Sequence, residues 1–193
     1  MGSVRACVAW VSAGLLVAAV LAGCDDQTPL DSVADLTTDG AVWRADAQKI
    51  AATLPQRLAT FAPSEGVAPF YTSYATGPVF GASCTYADGD HRQVTVRVET
   101  GNIRSRASAA LDARALAADT KFVTHEARVH GLPAVQRWSS GGRVGQVAFL
   151  VARRYLVEVR LVPAASEAEA MSLAEGIDLG PLEALVLDGV KAK

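Results

Sequence analysis

The chain has few of the side chains that build disulfides, metal sites and catalytic centres. It holds three cysteines and three histidines in 193 residues, and only 6% of it is aromatic. Its formal net charge of -2 excludes a polybasic arm, so we expect no nucleic-acid partner. The hydrophobic share of 50% excludes a disordered chain and is enough for the core of one domain.

The cysteines are also badly placed for a disulfide. Cys7 lies inside an N-terminal apolar run and Cys24 ends it, which leaves Cys84 as the one thiol of the body. Cys84 belongs to an alternation of apolar residues with Ala82 and Tyr86. We therefore expect a buried thiol on the core face of a strand.

No motif in the chain predicts a catalytic residue, a metal or a cofactor. His125 and His130 are five residues apart, so they face different ways on a helix or a strand, and a zinc-protease helix needs a spacing of four. The glycines around Arg143 are not followed by a phosphate-binding lysine, and Ser83 lacks the second glycine of a nucleophile elbow. We predict a protein that is not an enzyme and has no cofactor.

The N-terminus has the layout of an export signal. Arg5 precedes an apolar run over residues 6–22, and two aspartates follow Cys24 directly. The sequence Leu-Ala-Gly-Cys over residues 21–24 resembles the lipobox of bacterial lipoproteins, in which cleavage between the last two residues leaves an acylated cysteine at the new N-terminus. This resemblance implies cleavage between Gly23 and Cys24 and attachment of lipid such as palmitate at Cys24. An ordinary secretory signal or an uncleaved anchor, with Cys24 incidental, is the alternative.

A lipidated Cys24 predicts a protein of the bacterial cell envelope that is held to a membrane by its acyl chains. Asp25, directly after the cysteine, resembles the inner-membrane retention signal of Gram-negative bacteria. This favours the periplasmic face of the inner membrane. Residues 24–39 are polar and acidic and predict a tether between the lipid and the body.

Residues 40–189 predict a single α+β domain, a twisted antiparallel sheet of about six strands packed between helices. Apolar residues at helical spacing indicate a first helix that ends at Pro55, and an alanine-rich stretch over residues 103–118 indicates a second. Ser166 and Glu169 form a capping-box pattern at the start of a third, and a short helical turn is expected over residues 179–187. Strands are predicted before and after Asp88-Gly89 and over residues 121–129, 134–138, 144–151 and 155–161.

Two passages resemble one family. The first is Tyr86-Ala87-Asp88-Gly89 with the strand of Val94, Val96 and Val98; the second is Gly131-Leu132-Pro133-Ala134 with residues 151–159, Val-Ala-Arg-Arg-Tyr-Leu-Val-Glu-Val. Together they resemble small bacterial envelope lipoproteins of the PsbP-like superfamily, including the DcrB type, over about residues 55–188. The resemblance implies a twisted antiparallel sheet between helices and a role in binding partner proteins or assisting assemblies. It implies no catalytic residue.

Residues 62–78 are rich in proline, glycine and serine and predict a loop with aromatic residues in it and at its borders. Tyr71 and Tyr74 in this loop are candidates for a surface that contacts a partner protein. The alternative is that the rings of this region, with Phe61, Phe70 and Phe80, plug the open end of the sheet.

The middle of the chain is basic. Residues 91–160 carry 12 basic and 5 acidic side chains, and nearly all of the basic ones are arginines. They predict a surface for anionic lipid heads or an acidic partner, in which Arg153 and Arg154 are the candidate contact residues. Its other members are Arg97, Arg104, Arg106 and Arg160. In the alternative, these arginines pair with acids of the flanking helices.

Two functions follow as hypotheses. The first is a non-enzymatic, lipid-anchored envelope lipoprotein that acts by protein-protein contact, as an assembly or maintenance factor or as a toxin-immunity protein. The second is a periplasmic module that binds a small molecule or a lipid between sheet and helix. A cavity of several hundred cubic ångströms would favour the second.

Overall fold

The computed structural model describes residues 28–29, 46–74 and 77–191, and it has the predicted α+β class. One sheet contains all of the described strands, and every pair of neighbouring strands is antiparallel. The predicted cleavage site at Gly23 and Cys24 lies outside the described residues. So does the predicted tether, apart from residues 28–29.

The sheet follows the order β1-β3-β4-β5-β9-β8-β7-β6, and β2 pairs with β4. Its short strands are β1 (Thr28–Pro29) and β2 (Ala62–Pro63). The long strands are β3 (Ala68–Tyr74), β4 (Gly77–Ala87), β5 (Gln93–Gly101), β6 (Val123–Val129), β7 (Leu132–Ser139), β8 (Val144–Val151) and β9 (Tyr155–Val162).

The prediction of about six strands was too low, because a strand lies in the predicted loop. Ala68–Tyr74 pairs along its whole length with the first part of β4, although it contains Pro69. Proline and glycine made this strand look like a loop in the sequence. Pro69 is tolerated in β3 because the strand lies close to the edge of the sheet, where a missing backbone donor costs little. On its other side, β3 pairs with Thr28–Pro29 of the predicted tether.

One face of the sheet, here called the core face, carries the main hydrophobic core. The described part of α1, residues 46–51, packs there through Ala47 and Ile50. So do α4 (Glu167–Glu175) and α5 (Gly180–Lys191), and α4 comes close because Gly145 of β8 has no side chain where a Cβ would lie 2.8 Å from that of Ala170. Cys84 is buried on this face, as predicted.

The opposite face, here called the arginine face, is covered by two short helices, α2 (Arg104–Leu111) and α3 (Ala113–Ala117). The single helix predicted over residues 103–118 was therefore wrong. Asp112 divides it, because its Oδ1 accepts hydrogen bonds from the backbone N–H groups of Arg114 and Ala115 and so starts a new helix.

The predicted capping box at α4 was also wrong in detail. Ser166 is the N-cap residue, but its side chain makes no capping hydrogen bond. Glu169 Oε2 instead accepts from the backbone N–H of Ala165, and Oε1 accepts from Arg92 Nη1 at 3.1 Å. The carboxylate thus joins the start of the helix to the β4–β5 hairpin.

Among the described residues, no helix is both long and apolar enough to cross a bilayer.

Candidate functional site

A row of polar side chains crosses the arginine face from strand to strand. Thr95 of β5 pairs in register with Arg160 of β9, Arg160 with Gln146 of β8, and Gln146 with Arg137 of β7. Thr124 of β6 continues the row opposite Arg137. Because paired residues of antiparallel strands point to the same face, these five side chains lie side by side under α2 and α3.

The next row toward the start of α2 is half charged and half apolar. Arg97 pairs with Glu158, Glu158 with Ala148, and Ala148 with Val135. Apart from Thr124, the side chains of the two rows line the floor of a cleft of about 540 Å³. The helix residues over this floor are Arg106, Ala109 and Ala110 of α2 and Leu116 of α3.

At one end of the cleft, two arginines hold one buried carboxylate. Glu99 is fully buried, and its Oε1 accepts from Arg97 Nε at 2.6 Å and from Arg106 Nη2 at 3.0 Å. Its Oε2 accepts from Arg106 Nε at 2.6 Å. Partial burial opposes the charge of Arg106, but the hydrogen bonds and the charge of Glu99 outweigh this and raise the pKa of Arg106.

Aromatic rings of β3 support the same arginines. The guanidinium of Arg97 stacks 4.1 Å from the ring centre of Phe70, and that of Arg106 lies 5.4 Å from the ring centre of Tyr74. Arg106 Nη1 also donates to the Tyr74 hydroxyl at 3.1 Å. The alternative prediction, that arginines pair with acids of the flanking helices, is wrong for Arg97 and Arg106, because Glu99 lies in the sheet itself.

Arg137 lies in the floor of the cleft and is 93% buried. Its Nη2 pairs with Asp119 Oδ2 at 2.8 Å, and its guanidinium stacks 4.2 Å from the ring centre of Phe122. Its Nε is buried and has no hydrogen-bond partner, and the same is true of Oγ1 of Thr124, the residue opposite it. Two buried polar groups without a partner are costly in a folded protein.

Arg160 is the exposed charge of the cleft. Within the part of the chain that the structure describes, no acidic side chain pairs with it. Its neighbours in the row, Thr95 and Gln146, are uncharged. The cleft therefore combines an apolar roof, two paired arginines, one buried arginine with an unused donor and one exposed arginine.

The residues predicted as a partner surface do not form one continuous patch. Tyr71 packs against the main core and Tyr74 against the small cluster of Val79, Ile103 and Leu156, so the two tyrosines lie on opposite faces of the sheet. Phe61, Phe70 and Phe80 are buried. The rings thus belong to the interior, which agrees with the alternative interpretation of the aromatic region.

Arg153 and Arg154 are exposed in the turn between β8 and β9. Ala152 and Arg153 in this turn have φ angles of 50° and 56°, a region that side chains other than glycine and asparagine rarely adopt. The turn lies at the same end of the sheet as Tyr74, since β3 and β8 both end there.

His125 and His130 are surface groups that pair with different acids of α4. His125 Nε2 lies 3.0 Å from Glu167 Oε1, and the backbone N–H of His130 donates to the carboxylate of Glu175. Over residues 28–29, 46–74 and 77–191, no group of three or more histidine, cysteine, aspartate or glutamate side chains could hold a metal ion.

Arg97, Arg106 and Arg160 were members of the predicted basic surface, but Arg137 and the apolar roof were missed. Arg137 alternates with Val135 in a predicted strand, and that signal placed it on one face without saying what covers the face. Ala109 and Ala110 could not be recognised in the sequence as part of a cleft, because alanine favours a solvated helix as much as a helix that covers a sheet.

Comparison with protein-family models, with curated proteins and with solved structures found no match for this chain.

Proposed function

We propose that this chain is a non-enzymatic lipoprotein of the bacterial cell envelope, anchored through Cys24, whose folded domain binds a small molecule or a lipid in the cleft of the arginine face. The anchor rests on the N-terminal sequence: Arg5, the apolar run and the small residues before Cys24. Asp25 favours the periplasmic face of the inner membrane. The sequence passages around Asp88-Gly89 and over residues 151–159 support membership of the PsbP-like superfamily.

The chemistry of the cleft supports binding over catalysis. Both oxygens of the Glu99 carboxylate accept hydrogen bonds from guanidinium groups. Because Glu99 is also fully buried, its carboxylate offers no free oxygen to a substrate. Arginines and stacked aromatic rings are groups that hold and orient a ligand.

The observation that carries the ligand-binding proposal is the cleft itself. Its volume of about 540 Å³ lies within the range of about 300 to 1,000 Å³ typical of small-molecule sites. Two of the four roof residues, Ala109 and Ala110, have small side chains and leave space over the floor that larger residues would fill.

Filling the cleft from its roof should abolish binding of an apolar probe. Ala109 is exposed on α2, so Ala109→Trp is expected to occupy the cleft without disturbing the core. We expect the full-length protein in phosphatidylcholine nanodiscs to bind 1-decanol, measured by equilibrium dialysis against empty nanodiscs, and Ala109→Trp to weaken this binding by about tenfold or more. Ala115→Trp, exposed on α3 but outside the cleft lining, is the control. Equal binding by all three proteins would contradict the proposal.

A second candidate function is protein-protein contact, as an assembly or maintenance factor or as a toxin-immunity protein. The observation in its favour is the exposed turn that carries Arg153 and Arg154 on a backbone with two consecutive positive φ angles. Such strain persists where a structure needs the shape, and it occurs often at binding sites.

Charge reversal of this turn tests the second candidate. A photo-crosslinking amino acid placed at Ala152 should give a discrete protein adduct in the native membranes, and Arg153→Glu with Arg154→Glu should remove it, because acidic partners would be repelled. Arg57→Glu with Arg128→Glu is the control, since it makes the same charge change at two other exposed arginines. If the adduct survives reversal of the turn, the two arginines serve solubility and the contact proposal fails.

A further inference from the structure

We propose that the cleft binds a single-chain amphiphile with a singly charged anionic head, such as a fatty-acid carboxylate. The proposal rests on the proposed ligand-binding function of the cleft and names the class of ligand. It assigns the head to Arg160 and Arg137 and the apolar chain to the space under α2 and α3.

The charges around the cleft favour a ligand with one negative charge. Four arginines line it: Arg97, Arg106, Arg137 and Arg160. Three carboxylates are within reach of them, since Glu99 pairs with Arg97 and Arg106, Glu158 lies 4.0 Å from Arg106, and Asp119 pairs with Arg137. One positive charge is left over, and it belongs to Arg160. A monoanion at this position completes the pairing, whereas a cation would meet an excess of positive charge.

The position of the head follows from the unused donor in the floor. Arg137 and Arg160 are the two neighbours of Gln146 in the polar row, so both guanidinium groups rise from the same part of the sheet. Arg137 Nε is buried without a hydrogen-bond partner, and a carboxylate oxygen is the acceptor that a guanidinium N–H binds most strongly. An anion between Arg137 and Arg160 would accept from both.

The position of the ligand's alkyl chain follows from the apolar half of the cleft lining. Val135 and Ala148 of the second row face Ala109, Ala110 and Leu116 of the roof. Between them lies an apolar space next to the polar row, and each methylene placed there is removed from water, which favours binding. A short polar anion would leave this half empty, so the lining selects an amphiphile over a free anion.

Three probes with the same alkyl chain separate the effect of the head group from that of the alkyl chain. Full-length protein in phosphatidylcholine nanodiscs is dialysed at pH 7.5 against decanoate, 1-decanol or decylammonium, with empty nanodiscs as the baseline. We expect decanoate to bind about tenfold more tightly than 1-decanol, because a hydrogen-bonded ion pair adds to the apolar contact. Decylammonium is expected to bind most weakly.

The variant Arg160→Gln removes the unpaired charge from an exposed position, so folding should be unaffected. It should weaken decanoate binding about tenfold and leave 1-decanol binding unchanged. Arg57→Gln, which removes the same charge from an exposed site outside the cleft, should change neither.

The outcomes distinguish failure of the proposed ligand class from failure of the proposed ligand-binding function. If 1-decanol and decanoate bind equally and Arg160→Gln changes neither, the cleft takes a ligand but the anionic head is wrong. If no probe binds above the empty nanodiscs, both the class of ligand and the ligand-binding function fail. A preference for decanoate that Arg160→Gln abolishes supports both.

Discussion

Replacement of Cys24 by alanine is expected to move the protein from the membrane fraction to the soluble fraction and to leave its domain folded. The thiol of Cys24 is the only nucleophile at the predicted cleavage site, so without it no acyl chain can be attached. Two or three acyl chains bind a membrane far more firmly than one, because each buried methylene contributes about 0.8 kcal/mol. Once residues 1–23 have been removed, the loss of these acyl chains should therefore release the protein almost completely.

Fractionation after a carbonate wash measures the release, and the mass of the N-terminal peptide shows whether residues 1–23 are still attached. Cys7→Ala makes the same substitution within the apolar run and should leave the protein in the membrane fraction, because the proposed cleavage after Gly23 would remove this residue. Cys24→Ala protein that has lost residues 1–23 and still stays with the membrane after the wash would contradict the lipid anchor. So would a wild-type protein without an acyl group.

Arg106→Met is expected to lower the free energy of unfolding by about 3 kcal/mol. The methionine replaces much of the aliphatic stem of Arg106, so the loss comes from the guanidinium, which lies 5.4 Å from the ring centre of Tyr74 and donates to Glu99. Glu99 has no exposed surface, and without Arg106 its Oε2 loses the hydrogen bond of 2.6 Å. A buried carboxylate that loses part of its pairing cannot regain it from water.

Urea unfolding, followed by the fluorescence of the half-buried Trp138, measures this effect. Arg104→Met, two residues earlier in α2, is the matched control because Arg104 is exposed, and we expect a change within about 0.5 kcal/mol. Glu99→Gln should cost less than Arg106→Met, since Arg97 and Arg106 are 19% and 28% exposed and can bind water. Equal stability of Arg106→Met and Arg104→Met would show that the buried ion pair contributes nothing.

Strand predictions succeeded where the alternation was carried by β-branched and large apolar residues. Val94, Val96 and Val98 read correctly as one buried face, and β8 and β9 were placed within a residue of their bounds. Strand β3 was missed because Pro69 and the neighbouring glycines mimic a loop, and only its pairing with β4 makes it a strand. The break at Asp112 was missed because helix propensity is a weak signal in an alanine-rich stretch.

The candidate site could be predicted only in part. The excess of arginine over residues 91–160 covers the four arginines that line the cleft. The sequence did not show that Glu99 would form ion pairs with Arg97 and Arg106, because residues 99 and 106 meet only when α2 folds back over the sheet. Nor did it show that Arg137 would be buried with an unused donor.

The order of neighbouring residues was enough to predict an export signal with a candidate lipid site at Cys24. It was also enough for the α+β class and for the strands with regular alternation, because each depends on neighbouring residues or a short period. The cleft was decided by the tertiary structure alone. Its floor comes from side chains of four strands and its roof from two helices, and residues that are far apart in sequence become neighbours only through strand register and helix packing. Which arginine is paired and which remains available is a property of that arrangement.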